Sequence, residues 1–105
     1  MAVMFNPPHP GVFLKSALKA LNLSARGFAA HIGVSPASVT RLMNEETAVS
    51  PEMAVRLAQA ISGPDAATWL RMQAEYDAWH ASRNLDVSFI SRLSSDETTS
   101  ASLGA

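Results

Sequence analysis

Cysteine is absent from the 105 residues. That excludes a disulfide framework and any thiolate metal site. No stretch approaches the roughly 20 apolar residues that a membrane span needs. The N-terminus also lacks the basic start and apolar core of a signal peptide. A protein of the reducing cytosol, with no membrane partner, is expected. There is no glycine-rich phosphate loop, and no serine sits in a nucleophile elbow. The three histidines, His9, His31 and His80, are far apart and fit no metal-ligand spacing. No catalytic residue, metal or cofactor is therefore expected, and the chain does not read as an enzyme. The most telling absence is one of sign. From Met1 to Asn44 there is no acidic residue, against four basic ones, Lys15, Lys19, Arg26 and Arg41. From Glu45 onward there are four basic and nine acidic residues, so a formal net charge of −1 conceals a +4 half and a −5 half. A surface that meets phosphates requires a half without carboxylates, because Lys and Arg neutralising phosphates supply most non-specific DNA affinity. The acidic half suits a second and different partner.

What is present is apolar and helix-forming: 48% of residues are hydrophobic, enough for one small domain. Residues 23–44 carry the densest signals. Ser24 can cap a helix whose buried stripe is Phe28, Ala29 and Ile32, with Leu23 placed to staple onto Phe28. Gly33 stands where a left-handed C-terminal residue is needed. The start signal then repeats at once. Val34 precedes Ser35 as cap, Pro36 as first helical position and Val39 as staple partner. Val39, Leu42 and Met43 face inward, which leaves Pro36, Ala37, Ser38, Thr40 and Arg41 pointing out. Two short helices joined by a tight turn, the second with a polar face free of acid, is how a helix is set into the major groove of DNA. The plain alternative is an ordinary helical hairpin.

The rest of the chain follows the same helical period, so the fold class is all-α with five helices. Met1 to His9 forms an N-terminal arm rich in proline. Helix 1 runs from about Pro10 to Leu21, with Leu14, Leu18 and Leu21 on one face. After a loop from Glu45 to Val49, Ser50 and Pro51 open helix 4, whose face is Met53, Ala54, Leu57, Ala58 and Ile61. Gly63 and Pro64 stop it. Asp65 caps helix 5, which carries Trp69, Met72, Tyr76 and Trp79 to about Ser82. These rings fit a core or an interface better than a stacking surface for bases. Residues 10–82 thus form the domain and 83–105 an extension. Within it Asp86 to Leu93 has the β-branched and aromatic character of a short strand, and Ser94 to Ala105 reads as a disordered tail.

With these motifs placed, the chain resembles the HigA-type antitoxins, within the wider lambda-repressor-like (XRE-type) helix-turn-helix group. Three segments carry the resemblance: His9-Pro10-Gly11 opening helix 1, VSPASVTRLMN followed by SPEMAVRLAQAI, and TWLRMQAEYDAWHA with its Trp-Leu-x-x-Gln start. It spans roughly residues 9–82. It implies a five-helix domain that dimerises through its C-terminal part. Such a protein binds and blocks a RelE/HigB-like toxin, an mRNA-cleaving ribonuclease, and represses its own operon. By position, Ser35 and Ser38 resemble the phosphate-contacting residues of the recognition helix. Ala37, Thr40 and Arg41 occupy its base-reading positions, and Asn44 resembles the residue that closes onto the backbone after it. Arg41 has the bidentate reach to guanine, and Thr40 or Ala37 can touch a thymine methyl.

The chain departs from the group at two places. A phosphate-clamping Gln is frequent where Ala25 stands, with Arg26 beside it as substitute. A Gly-Lys-like pair is usual where Glu45 and Glu46 stand. Gly27 inside helix 2 is also unusual, and close helix packing is one explanation for it. The expected partners are operator DNA with an inverted repeat, a second copy of the chain, and the toxin. Trp69, Met72, Tyr76, Trp79 and Phe89 are the residues expected at the dimer interface. For the toxin, the acidic Glu75, Asp77 and Asp86 compete with the apolar arm residues Val3, Met4 and Phe5. A stand-alone repressor without a toxin is the alternative function.

Overall fold

The computed structural model describes residues 6–94. It contains α1 (Pro10–Leu21), α2 (Ala25–Ile32), α3 (Pro36–Met43), α4 (Pro51–Ala60) and α5 (Ala66–Asn84), and no strand among the described residues. The helix starts follow the capping signals. The side chains of Ser24, Ser35, Ser50 and Asp65 accept hydrogen bonds from the N–H groups of Gly27, Ser38, Met53 and Thr68. Each satisfies one of the donors that a helix N-terminus leaves unpaired. Gly33 ends α2 at φ 78°, a left-handed conformation that glycine adopts without strain.

The core is built from Leu14 and Leu18 of α1, Phe28, Ala29 and Ile32 of α2, and Val39 and Leu42 of α3. Ala54 and Leu57 of α4, Trp69 of α5, and the connecting residues Val49 and Ile61 complete it. Helices α2 and α3 pack tightly on each other, α1 lies against α3, and α5 runs along α4 with a lighter contact to α1. Leu21 departs from its expected place. It is 53% exposed, because Asn22 turns left-handed at φ 58° and ends α1 just beyond it.

Three further expectations are corrected. His9 does not belong to a free arm. It is 3% exposed and caps α1: Nδ1 accepts the Gly11 N–H at 2.9 Å, and Pro10 fills the first helical position. Its ring meets Tyr76 of α5 edge-on at 4.8 Å. The segment from Asp86 to Leu93 is not a strand. Asp86 draws the chain into a local turn, its carboxylate accepting both the N–H (3.0 Å) and the hydroxyl (2.7 Å) of Ser88. Ile90 N–H then closes on the Val87 carbonyl. Such side-chain bonds compete with a ladder, and a single chain offers no partner edge. Gly27 is not a site of close helix packing either. It is exposed, and a Cβ there would meet only the Ser24 cap hydroxyl, at 3.2 Å. Val3, Met4, Phe5 and the tail from residue 95 lie outside the described residues.

Candidate nucleic-acid interface

Helix α3 is capped by hydrogen bonds at both ends. At its start the hydroxyls of Ser35 and Ser38 lie 2.9 Å apart while Ser35 Oγ also accepts the Ser38 N–H. At its end Glu45 N–H bonds the Leu42 carbonyl (3.0 Å) and Glu46 N–H the Arg41 carbonyl (2.8 Å). This is the Schellman pattern, and it puts Glu45 at φ 64°, the place usually taken by glycine. The Gly-Lys usage expected at 45–46 thereby has a backbone reason: the first of the two positions is left-handed.

Between these ends, Ser35, Pro36, Ala37, Thr40, Arg41 and Asn44 are exposed and Ser38 is half-buried. Val39 and Leu42 anchor the opposite face in the core. The structure brings together all seven sequence-identified residues of this helix and its caps. Arg26 is exposed on the first turn of α2. Ser38 and Arg41 also border a cleft completed by Leu42, Thr47, Ala48, Ser50 and Met53. Hydroxyls and a guanidinium around one cleft, next to the start of α4, are groups that hold an anion. No group of three or more His, Cys, Asp or Glu that could hold a metal exists among the described residues. None of their helices is long and apolar enough to cross a membrane.

Two residues support this face through bonds that the sequence reading did not foresee, although Gln73 stood in it as the last residue of the Trp-Leu-x-x-Gln motif. Gln73 of α5, 6% exposed, accepts the buried Val49 N–H at 2.9 Å and so ties the loop after α3 to α5. Its place on the stripe of Trp69, Met72 and Tyr76 was the available signal: a polar residue on a buried face needs a partner. Arg56 of α4 donates to the Ile32 carbonyl at the end of α2, with Glu52 at 3.6 Å one turn back. A link spanning 24 residues leaves no local trace in the sequence.

The Helix-turn-helix family model matches residues 14–64. An HTH-type transcriptional regulator of Escherichia coli (strain K12), YddM, is 36% identical over 86% of this chain and 95% of its own. The chain belongs to the helix-turn-helix family. Antitoxins are among the solved structures it resembles. The addiction module antidote protein of the HigA family from Coxiella burnetii superposes with a TM-score of 0.71 at 31% identity. That match covers 75% of this chain and 86% of the other. The Pseudomonas aeruginosa antitoxin HigA, solved with the higBA promoter, gives 0.67 at 30% identity over 74% and 86%. The XRE-type, HigA-like resemblance read from the sequence therefore holds. In helix-turn-helix terms α2 and α3 are the motif, and α3 is its second helix.

The expected dimer residues of this helix-turn-helix chain differ in exposure. Trp69 is fully buried and meets Phe13 edge-on at 5.3 Å, so it serves the core of its own chain. Met72 packs partly against the same core. Tyr76 and Trp79 are half-buried. Tyr76 and His80 rings lie 4.2 Å apart, and the Arg83 guanidinium sits 4.7 Å over Trp79. Phe89 is 79% exposed, in company with Leu85, Val87, Ile90 and Leu93. Glu75, Asp77 and Asp86 are exposed, and Ser88 holds the Asp86 carboxyl below the usual carboxylate range, chiefly through its backbone N–H.

Proposed function

We propose that this helix-turn-helix protein is the antitoxin of a toxin–antitoxin pair and the repressor of its own operon. The observation that carries the reading is the outward row on α3. Ser35, Pro36, Ala37, Ser38, Thr40, Arg41 and Asn44 sit on a doubly capped helix, at the end of a half-chain that holds no carboxylate before Glu45. In this reading α3 enters the major groove. Ser35, Ser38, Asn44 and Arg26 meet phosphates, and Ala37, Thr40 and Arg41 meet base edges. The likeness to a HigA solved with promoter DNA supports it.

Two copies bind an inverted repeat. Leu85, Val87, Phe89, Ile90 and Leu93, together with the half-buried Trp79 and Tyr76 of α5, supply the dimer contact, because so many exposed apolar side chains in one short segment call for cover. The partner protein is a RelE/HigB-like ribonuclease. A toxin that grips mRNA must be basic, and the acidic face of Glu75, Asp77 and Asp86 would speed its capture. A free-standing repressor, the role suggested by the likeness to YddM, shares the DNA contact but has no toxin partner. Titration of the upstream DNA with wild type and Arg41→Ala tests the first part. Co-expression with the adjacent gene tests the second: rescue of growth supports the antitoxin, and no rescue with intact operator binding leaves the free-standing repressor.

A further inference from the structure

The loop from Asn44 to Ser50 forms one wall of the cleft beside the recognition helix, through Thr47, Ala48 and Ser50, and Ser38 and Arg41 form the other. What holds this wall in place is not the loop itself. The Val49 N–H is buried and its acceptor is Gln73 Oε1 on α5, at 2.9 Å. The other end of the same amide, Nε2, donates to Asp77 Oδ1 one turn further along α5, at 3.0 Å. A carboxylate can only accept, so Asp77 fixes which end of the amide is oxygen and aims that oxygen at Val49. Asp77 is exposed, whereas Gln73 is 6% exposed. A chain of two hydrogen bonds therefore runs from the surface of α5 to the loop bordering α3. We propose that Gln73 is a positioning residue for DNA recognition, oriented by Asp77, that sets the distance between the Thr47–Ser50 wall and the Ser38–Arg41 face. The inference rests on the reading of α3 as the DNA-contacting helix.

The side-chain chemistry narrows the role. An apolar residue at 73 would fill the space but orphan the buried Val49 N–H, and the loop would have to open to hydrate it. Removing Asp77 leaves Gln73 in place but frees its amide to rotate, which presents NH2 to the Val49 N–H whenever the amide is flipped. Because Asp77 is exposed, its loss leaves the apolar core intact.

The test uses the full chain with Asp77→Ala, Asp77→Asn and Gln73→Met. Three quantities are read: exchange of the Val49 amide hydrogen, thermal midpoint, and affinity for the upstream operator against unrelated DNA. Asp77→Ala is expected to speed Val49 exchange and to weaken operator binding about three- to tenfold, the worth of one hydrogen bond in a binding constant. Binding to unrelated DNA should hold, and the midpoint should stay close to wild type. Asp77→Asn, whose Oδ1 still accepts, should recover most of the operator affinity. Gln73→Met should show the larger loss, and if it fails to fold, Asp77→Ala decides alone. Operator affinity unchanged in Asp77→Ala overturns the proposal, as does Val49 exchange unchanged in it. Wild type that binds no DNA sinks the reading of α3, and this inference with it.

Discussion

Gly11→Ala should be among the most damaging single-methyl additions available to this fold. A Cβ at residue 11 would lie 2.0 Å from the Leu42 carbonyl oxygen, where ordinary contact begins at 3.4 Å, a shortfall of 1.4 Å. The obstacle is backbone, so no rotamer change relieves it. Helix α1 would have to move away from the end of α3, pulling Leu14 and Leu18 from the core they share with Leu42. Moving His9 would also strain its 2.9 Å cap on the Gly11 N–H. Overpacking in a core typically costs about 1–3 kcal/mol, and an unyielding carbonyl places this change at the upper end, about 3 kcal/mol. For a domain of this size each kcal/mol lowers the thermal midpoint by about 4–8 °C. Urea unfolding with an unchanged slope is the assay, and Gly27→Ala is the control. At Gly27 the added methyl meets only the Ser24 hydroxyl at 3.2 Å, so stability should change by less than about 1 kcal/mol. A Gly11→Ala protein within about 0.5 kcal/mol of wild type would refute the close approach of α1 to the end of α3.

Glu45→Gly should gain about 0.5–1 kcal/mol in the same urea assay, since a left-handed glutamate gives way to the residue suited to φ 64°; no gain would contradict the Schellman end of α3. Glu46→Lys should steepen the salt dependence of operator binding by about one unit of slope, and an unchanged slope would place this loop away from phosphate. Hydrogen bonds from the Thr68 hydroxyl and then its backbone N–H hold the Asp65 carboxyl below its ordinary range. Its contribution is therefore present above about pH 4 and fades as pH falls through the lower folded value, so Asp65→Asn should flatten stability in that acid window. Ending the chain at Asn84 removes five exposed apolar side chains, Leu85, Val87, Phe89, Ile90 and Leu93. It should weaken the dimer in sedimentation, and an undiminished dimer would move the interface onto α5 or elsewhere.

Most helix-end chemistry was legible in the sequence, the His9 cap excepted, and chemistry spanning the chain was not. The caps at Ser24, Ser35, Ser50 and Asp65, the glycine turn at Gly33 and the outward row of α3 each rest on signals within a few residues, and each stands in the structure. Where two elements compete for one side chain, the sequence is silent. Trp69 carries the same helical spacing whether it faces its own core or a partner, and only the packing of α5 on α4 and α1 decides for the core. Gln73 and Arg56 act across 24 residues each, so the motif and stripe around Gln73 mark it as a residue in need of a partner without naming Val49, and nothing near Arg56 announces Ile32. Asp86 misled in the other direction. The β-branched pattern around it is real, but its carboxylate closes a turn on Ser88 before any strand can pair.

A guanine-methylation protection footprint on the DNA upstream of this chain's own gene tests the central claim most directly. Two copies presenting α3 to successive major grooves should protect guanines at two positions about 10–10.5 base pairs apart, related by an inverted repeat. Arg41→Ala should lose that protection at one base pair in each half while keeping the phosphate contacts. Protection that is confined to the minor groove, or that survives intact in Arg41→Ala, would contradict the assignment of α3 as the helix that reads DNA.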